Sequence, residues 1–163
     1  MSDLRPLAPG ELGAAAEIVS RSFKHAYATL LPAADVTPLT PESVLSEWMS
    51  QRETTVLGLL RDQTLIGVAR VGPDPDAATT GHLFSLYVTP ENQGQGLGKQ
   101  LLSAAEHALL TQGFAEATLW VFDGNDPALA LYTRQEWVQS GVKDTGGRWS
   151  VPRLQLRKRL VTS

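Results

Sequence analysis

The chain has 163 residues, of which 42% are hydrophobic and 19% are charged, and its formal net charge is -3 at pH 7. A domain of ~150 residues already buries roughly 70% of the surface that its unfolded chain exposes, so 1–163 suits a single domain. A slightly acidic chain lacks the positive charge that neutralises a phosphate backbone, which argues against a nucleic-acid partner. The absence of cysteine excludes disulfides, thiolate metal sites and a cysteine nucleophile.

Metal binding and membrane insertion also find no support in the sequence. The three histidines, His25, His82 and His107, lie far apart and form no pair at helical spacing, so we predict no metal site. No apolar stretch approaches the ~20 residues that span a bilayer, and the N-terminus lacks the pattern of a signal peptide. We therefore expect a cytoplasmic protein with no membrane partner.

The first half of the chain predicts helices at both ends of a proline-rich stretch, followed by a hairpin. Apolar residues recur at helical spacing in the helices, whereas the hairpin has the shorter period of strands. Three prolines interrupt the chain between the helices. The predicted elements are a strand at 3–7, a helix from Pro9, a helix from Pro41 and a hairpin of strands 54–60 and 64–71.

The second half predicts strands that alternate with helices. Alternation in the middle of the chain, with antiparallel pairs on either side, predicts an α/β protein with a mixed sheet flanked by helices. The predicted elements are a buried strand at 82–88, a helix at 97–110, a strand at 117–122, a short helix capped by Asn125 and two last strands near 137–143 and 149–158. Six basic residues fall late in the chain, and their spacing indicates a strand with a solvated face. They are Lys143, Arg148, Arg153, Arg157, Lys158 and Arg159.

A glycine-rich turn joins the strand at 82–88 to the helix at 97–110. Glycine lets the backbone approach a ligand closely, and the first turn of a helix presents unpaired amides and positive potential. This combination is typical of anion binding, and a pyrophosphate fits it. The residues of the turn and its helix start are Gln93, Gly94, Gln95, Gly96, Leu97, Gly98 and Lys99.

Two other anion-binding motifs share part of this pattern. A dinucleotide fingerprint requires a third glycine where the chain has Lys99, although Glu116 stands at a suitable distance downstream. A P-loop requires glycine at position 93 and serine or threonine at position 100, and the chain has glutamine at both. We therefore disfavour both motifs.

The turn, with the strand ending Leu86-Tyr87-Val88-Thr89-Pro90 before it, resembles the coenzyme A loop of the GNAT N-acetyltransferase superfamily. Downstream, the strand Leu119 to Phe122, followed by Asn125, Ala128 and Leu131-Tyr132, is similar to the family's second cofactor motif. The segment Leu30-Leu31-Pro32 and Trp48 also resemble the substrate side of one GNAT subgroup. One departure is Glu136-Trp137, where the family often has Gly-Phe, and it puts the local turn in doubt.

The resemblance implies a mixed, mostly antiparallel sheet of about seven strands flanked by about four helices, and acetyl-CoA as the acyl donor. Residues 93–99 then supply amides to the pyrophosphate, the strand edge at Leu86, Tyr87 and Val88 pairs with the pantetheine arm, and Asn125 either caps its helix or contacts that arm. Relatives are frequently dimers, so a homodimer is possible.

The same resemblance assigns Tyr132 as the acid that protonates the departing thiolate. Acyl transfer also requires a donor for the oxyanion of its tetrahedral intermediate, and the backbone N–H of Val88 is our candidate. The general base is left open between His82, Glu91, Asp123 and a water chain held by Ser85 and Tyr87. Because the chain has no cysteine, we expect direct attack by the amine in a ternary complex.

These features predict an acetyl-CoA-dependent N-acetyltransferase that acts on a primary amine of a small molecule or peptide. If the fold resembles its relatives, the acceptor pocket is walled by His25, Tyr27, the segment 30–32, Trp48 and Trp120. The alternative is a catalytically silent acyl-CoA-binding or sensing module, which the lack of an obvious base would explain.

Overall fold

The computed structural model describes residues 2–51 and 53–160, whose strands form one sheet of seven in the order β1-β2-β3-β4-β5-β7-β6. The strands are β1 Ser2–Pro6, β2 Thr55–Arg61, β3 Thr64–Asp74, β4 Ala77–Val88, β5 Glu116–Phe122, β6 Val138–Asp144 and β7 Arg153–Arg159. Neighbouring strands are antiparallel except β4 and β5, which are parallel. The mixed, mostly antiparallel sheet predicted from the sequence is confirmed.

Five α-helices accompany the sheet in the described residues, one more than expected, because a single helical turn forms within the proline-rich stretch. The helices are α1 Leu12–Tyr27, α2 Ala33–Val36, α3 Pro41–Ser50, α4 Leu97–Thr111 and α5 Asp126–Arg134, with single 3-10 turns at Pro9–Glu11 and Pro90–Asn92. None of the helices within the described ranges is long and apolar enough to cross a membrane.

Local signals fix where these helices begin. The hydroxyl of Thr40 accepts a hydrogen bond from the Ser43 amide at 3.1 Å, and Pro41 occupies the first helical position of α3, where its missing N–H costs nothing. In α5 the side chain of Asn125 accepts from the Ala128 amide at 3.4 Å. The helix cap predicted at Asn125 is therefore present.

The hydrophobic core lies against the sheet in two main clusters. Residues of α4, including Leu101, Leu102 and Leu109, pack with strand residues such as Leu59 and Leu119, all at most 1% exposed. A second cluster joins α1 and α3 to Val56 and Val68. The apolar stripes predicted in these helices thus become their buried faces.

The central hairpin is longer than the sequence indicates. We expected β3 to end near Val71 and β4 to begin at His82, but the two strands remain paired through Asp74 and Ala77. Pro75 and Asp76 form the connection, and the register of the pairing shifts between Pro73 and Asp74. This extension places Asp74 beside the middle of the sheet instead of in a loop.

Strands β4 and β5 separate soon after they meet. Their pairing is limited to Gly81, His82 and Leu83 opposite 117–119. In the pairing of β4 with β3, Ser85 lies opposite Arg70 and Leu83 lies opposite Val71, so Phe84 is the extra residue of a β-bulge. A bulge bends its strand and increases the local twist, and the remainder of β4 lies apart from β5. The resulting opening in the sheet positions the candidate site.

Candidate active site

The first cavity at this opening has a volume of about 530 Å³ and lies between β4, β5 and the beginnings of α4 and α5. One wall is the strand segment 83–88, and the other is formed by Trp120, Val121 and residues of α5. Residues near the end of α1, including Tyr27, complete the lining. The cavity therefore joins both motifs that the sequence analysis singled out.

The glycine-rich turn contributes backbone amides to the first cavity. Gly94 and Gly96 have φ of 80° and 77°, a left-handed conformation that side chains with a Cβ rarely adopt. The first intrahelical bond of α4 runs from the Gln100 amide to the Gly96 carbonyl at 3.3 Å, so the amides of 97–99 have no acceptor within the helix. Free amides and the positive end of the helix dipole suit an anionic group here.

The outer edge of β4 also has free backbone groups. The Thr89 amide donates to the Ile66 carbonyl on β3 at 2.9 Å. Because antiparallel strands alternate the direction of their amides, the amides of Leu86 and Val88 are directed away from β3, toward the opening. Among residues 2–51 and 53–160, no strand pairs with this part of β4 on that side, so the Val88 N–H is available to a ligand.

A second cavity of about 460 Å³ meets the first at the opening between β4 and β5. Six residues line both cavities, namely Tyr27, Leu83, Phe84, Ser85, Tyr87 and Trp120. The rest of the second cavity is formed by α1, α3, Arg70 of β3 and the segment that precedes β7. Phe122 and Trp149 add an aromatic wall, with ring centroids 5.2 Å apart. The two cavities therefore adjoin along this shared wall.

The sequence model of the acetyltransferase (GNAT) family matches residues 18–137, which is well over half of the chain. The chain belongs to the GNAT acetyltransferase family. The resemblance seen in the sequence motifs is thereby confirmed, and the matched range contains both the glycine-rich turn and the tyrosine helix α5.

Individual GNAT relatives cover different shares of the chain. The spermidine N(1)-acetyltransferase of Thermoplasma acidophilum is 27% identical over 153 residues, 89% of this chain and 91% of that protein. The uncharacterized N-acetyltransferase YuaI of Bacillus subtilis is 27% identical over 115 residues, 68% of this chain and 65% of that protein. The mycothiol acetyltransferase of Kocuria rhizophila matches only over 57 residues, at 39% identity, which is 35% of this chain and 19% of that protein. The match thus spans less than two thirds of the latter two proteins.

Solved GNAT structures share the fold along the whole chain. The PaiA N-acetyltransferase of Thermoplasma acidophilum, solved in complex with coenzyme A, superposes with a TM-score of 0.79 at 23% identity over 98% of this chain and 99% of that chain. The putative acetyltransferase yncA of Salmonella typhimurium, solved with acetyl-CoA, has a TM-score of 0.76 at 18% identity over 100% of this chain and 96% of that chain.

All three tyrosines of this GNAT chain line the first cavity. Tyr27 is hydrogen-bonded to Tyr87, and its hydroxyl accepts from the Asn125 side-chain amide at 3.0 Å. Burial is the main cause that raises the pKa of each phenol, most strongly for Tyr87 and Tyr132. The phenols therefore keep their protons throughout the neutral range.

A buried polar chain runs from the second cavity to the end of β3. The Thr118 hydroxyl donates to the Asp74 carboxylate at 2.6 Å, and Nδ1 of His82 lies 2.7 Å from the same hydroxyl. Since the hydroxyl's one proton goes to Asp74, the bond from His82 must be donated by Nδ1–H. This arrangement fixes the tautomer and leaves Nε2 unprotonated, and no described residue hydrogen-bonds to that nitrogen. Burial, the largest cause, lowers the pKa of His82 to about 4.

The other candidates for the base lie outside both cavities. Glu91 forms an ion pair with Arg21 at 3.0 Å, and Asp123 lies 3.6 Å from Lys143. Neither carboxylate lines either cavity. Ser85 and Tyr87 line both cavities, so a water chain there stays a prediction alongside His82.

Most of the residues predicted to bind the cofactor line the first cavity. Gln95 and Lys99 do not contribute to its lining, although their backbone belongs to the same turn. The side chain of Gln93 donates to the Val88 carbonyl at 3.2 Å, which ties the turn to the strand. The predicted residues in the lining are Leu86, Tyr87, Val88, Gln93, Gly94, Gly96, Leu97, Gly98, Asn125 and Tyr132.

The predicted acceptor wall is divided between the cavities. His25 lines the first cavity, Trp48 lines the second, and Tyr27 and Trp120 line both, whereas the segment 30–32 lines neither. Trp48 is also part of the core, at 5% exposure. Within the described residues, no group of three His, Asp or Glu side chains is arranged to hold a metal.

Sequence reasoning missed several residues of the second cavity. Arg70 lies in a strand where a charged residue is unexpected, and that irregularity in an apolar run was the available signal. Phe84 was not predicted as a cavity residue, because the β-bulge that sets its orientation has no recognisable sequence pattern. Arg148 and Arg153 line the cavity too, so the late basic residues do not all belong to a solvated strand face.

Proposed function

We propose that this GNAT protein is an acetyl-CoA-dependent N-acetyltransferase that transfers the acetyl group to a primary amine by direct attack in a ternary complex. The observation that carries the proposal is that the two cavities adjoin at the opening between β4 and β5, where Ser85 and Tyr87 line both. The first cavity has the features of a site for acetyl-CoA, and the second cavity reaches the shared wall from the other side.

The first cavity fits coenzyme A by its donor groups. The free amides of the glycine-rich turn suit the pyrophosphate, and the unpaired edge of β4 suits the amides of the pantetheine arm. Ser22 adds a buried hydroxyl that lines the cavity and has no hydrogen-bond partner among the described residues. When bound, acetyl-CoA supplies the activated acetyl group.

In the transfer, the amine nitrogen forms a bond to the acetyl carbonyl carbon while the carbon–sulfur bond breaks. The Val88 N–H donates to the carbonyl oxygen as negative charge develops there. The Tyr132 hydroxyl provides a proton for the sulfur, so coenzyme A leaves as the thiol. The amine's surplus proton passes to a base, and the products are an amide and free coenzyme A.

His82 is our proposed acceptor for the amine's proton. It lines the second cavity and has the unprotonated Nε2 that the chain to Thr118 and Asp74 imposes. Because its pKa is low, it is neutral and able to accept a proton at pH 7. The same low value makes it a weak base, so water at Ser85 and Tyr87 complements it in our proposal.

The relatives support amines in general and do not single out one. One relative is named for spermidine and another for mycothiol. Small-molecule and peptide acceptors both stay within the proposal. The cytoplasmic location and the possible homodimer expected from the sequence also stay predictions.

Calorimetric titration with acetyl-CoA tests the proposal, with Gly96→Glu as the variant. A side chain at this left-handed position strains the turn, and the carboxylate repels the pyrophosphate, so we expect one-to-one binding in the natural protein and at least ~100-fold weaker binding in the variant. Gly10→Glu is the matched control, since Gly10 has ordinary φ, open space around it and no place in either cavity.

Thiol release is then measured with a panel of amines. Binding with release of coenzyme A supports an enzyme, whereas binding without release by any amine supports the silent acyl-CoA-binding module. That alternative draws on the position of Glu91 and Asp123 outside the cavities. No binding by the folded natural protein would contradict both functions.

A further inference from the structure

The second cavity contains a buried arginine, Arg70, that is only loosely paired with a carboxylate of the protein. Arg70 is only 3% exposed and lines this cavity from β3. Its Nη1 donates to the neutral side chains of Gln51 at 2.7 Å and Thr54 at 3.3 Å. Its Nε is buried and has no hydrogen-bond partner among the described residues. A buried guanidinium with an unused N–H is costly unless something else satisfies it.

The carboxylates near Arg70 do not neutralise it. The nearest ion-pair partner is Glu47, whose carboxylate lies 3.8 Å from Nη2 and is half-exposed. The ring of Phe84 lies 4.3 Å from the guanidinium carbon, a favourable contact that brings no negative charge. Burial lowers the pKa of Arg70 to about 10, so it is still charged at pH 7.

The charged side chains of the cavity differ in how deeply they lie, and the buried one is the cation Arg70. Three arginines line the cavity, Arg70, Arg148 and Arg153, against two exposed carboxylates, Glu47 and Asp76. Arg153 is satisfied by Asp144 at 2.6 Å. Arg148 is exposed, stacks on Trp149 at 4.4 Å and has no carboxylate partner among the described residues. An anionic group would be attracted to Arg70 and Arg148.

The position of Arg70 relates this charge to the reaction centre. Arg70 lies directly opposite Ser85 in the pairing of β3 with β4, and opposite residues of an antiparallel pair share one face of the sheet. Ser85 lines both cavities at the point where they meet. An anion bound by Arg70 is therefore adjacent to the place where the amine must attack.

We propose that the acceptor is an amine that also carries a carboxylate, as in an amino acid, and that Arg70 binds this carboxylate with Arg148 at the mouth of the cavity. A guanidinium forms charge-assisted hydrogen bonds with a carboxylate, and Nη2 of Arg70 has only the half-exposed Glu47 as a partner at 3.8 Å. The acetyl group goes to the amine as in the proposed function, on which this inference rests, and the carboxylate is retained in the product. Phe84, Phe122 and Trp149 favour an apolar or aromatic side chain on the acceptor.

Matched acceptors test the proposal without any variant. Acetyl-CoA is mixed with the protein and each of the common amino acids, their carboxamides and spermidine, and thiol release is followed with mass analysis of the product. A carboxamide keeps the amine and side chain and removes the negative charge. We expect the protein to acetylate at least one amino acid, with a kcat/KM about 100-fold above that of the corresponding carboxamide. The reason is that a buried cation such as Arg70 discriminates strongly between a charged and a neutral group.

The variant Arg70→Gln is expected to lower kcat/KM for the amino acid by about 100-fold. Its kcat/KM for the carboxamide should stay within about threefold of the value for the natural protein. Arg148→Gln, at the exposed mouth, should have a smaller effect in the same direction and is informative if the first variant does not fold. Arg157→Gln is the matched control, because Arg157 lies on the surface in an ion pair with Glu116 at 3.2 Å and lines neither cavity. Acetyl-CoA titration of every variant checks that the first cavity is intact.

Three results would overturn the proposal that Arg70 binds a carboxylate of the acceptor. They are a preference for amides or spermidine, equal rates for acids and amides, or no turnover of any acid. If acetyl-CoA still binds and other amines react, the proposed N-acetyltransferase function survives and only the acceptor class is wrong. If acetyl-CoA does not bind, the proposed function itself has failed.

Discussion

Tyr132 illustrates how a single residue acquires a role from its surroundings. Its ring is 8% exposed and packs edge-on to Trp137, with centroids 6.2 Å apart. Burial, and the nearby Tyr27 to a lesser extent, raises the pKa of its phenol. At physiological pH this phenol carries a proton that a departing thiolate could accept, although the raised pKa makes it a weaker acid than an exposed tyrosine. Tyr132 lines the cavity where that thiolate would form.

We therefore predict that Tyr132→Phe lowers kcat about 100-fold while the dissociation constant of acetyl-CoA changes little, because proton transfer contributes 10²-fold or more and binding does not depend on the hydroxyl. Steady-state thiol release and calorimetry measure the two quantities. Tyr27→Phe removes a phenol from the same cavity and should cause a smaller loss. An unchanged kcat for Tyr132→Phe at all pH values would show that the assignment as general acid is wrong.

At the scale of elements, the end of α5 explains the departure from the family pattern at Glu136-Trp137. Glu136 has φ of 72°, so it occupies the left-handed position where glycine is favoured at the end of a helix. The indole of Trp137 donates to Glu106 of α4 at 3.1 Å, and Glu106 also binds Lys158 of β7 at 2.6 Å. The turn doubted from the sequence is thus kept, because contacts on both sides hold it.

A glycine at position 136 should relieve the backbone strain. A left-handed residue with a Cβ costs roughly 1–2 kcal/mol, and part of the gain is lost to the greater freedom of glycine in the unfolded chain. We predict that Glu136→Gly raises the free energy of unfolding by about 0.5–1 kcal/mol, measured by urea denaturation. Glu136→Ala keeps the Cβ and should give no such gain. Equal stabilisation by both variants would mean that the glutamate side chain, not the backbone, is unfavourable.

At the scale of the whole molecule, the buried chain of His82, Thr118 and Asp74 joins three strands, β4, β5 and β3. The pKa of His82 is lowered from 6.5 to about 4, chiefly by burial; Arg153 and Arg70 lower it further, and Asp74 opposes them. Between these two pH values the unfolded chain binds a proton that the folded protein does not. The histidine's contribution to stability is therefore complete above pH 6.5 and is lost as the pH falls toward 4.

We predict that this histidine alone lowers the free energy of unfolding by about 2 kcal/mol between pH 7 and pH 5. Urea denaturation at the two pH values measures the change in the free energy of unfolding. In His82→Gln the part of that change that comes from the histidine should be absent. His107→Gln is the control, since His107 is an exposed histidine outside the buried chain. The same pH dependence in His82→Gln as in the natural protein would contradict the lowered pKa.

Elements with strong local signals were predictable from the sequence. The glycines at 94 and 96, the apolar stripe of α4 and the cap at Asn125 act through neighbours in the chain, and each has the predicted form. The order of the two cofactor motifs was sufficient to indicate the GNAT family. Strand ends were less accurate, as in β3 and β4, because a strand continues wherever a partner remains in register.

The sequence by itself determined the family, the type of fold and the position of the glycine-rich turn along the chain, because helix starts, strand periods and glycine conformations depend on residues close in sequence. Only the tertiary structure decided which side chains face the opening between β4 and β5. The bulge at Phe84, the pairing of Arg70 with Ser85 and the chain from His82 to Asp74 all depend on contacts between segments distant in sequence. Such contacts have no local period or spacing, so they appear only when the sheet is assembled.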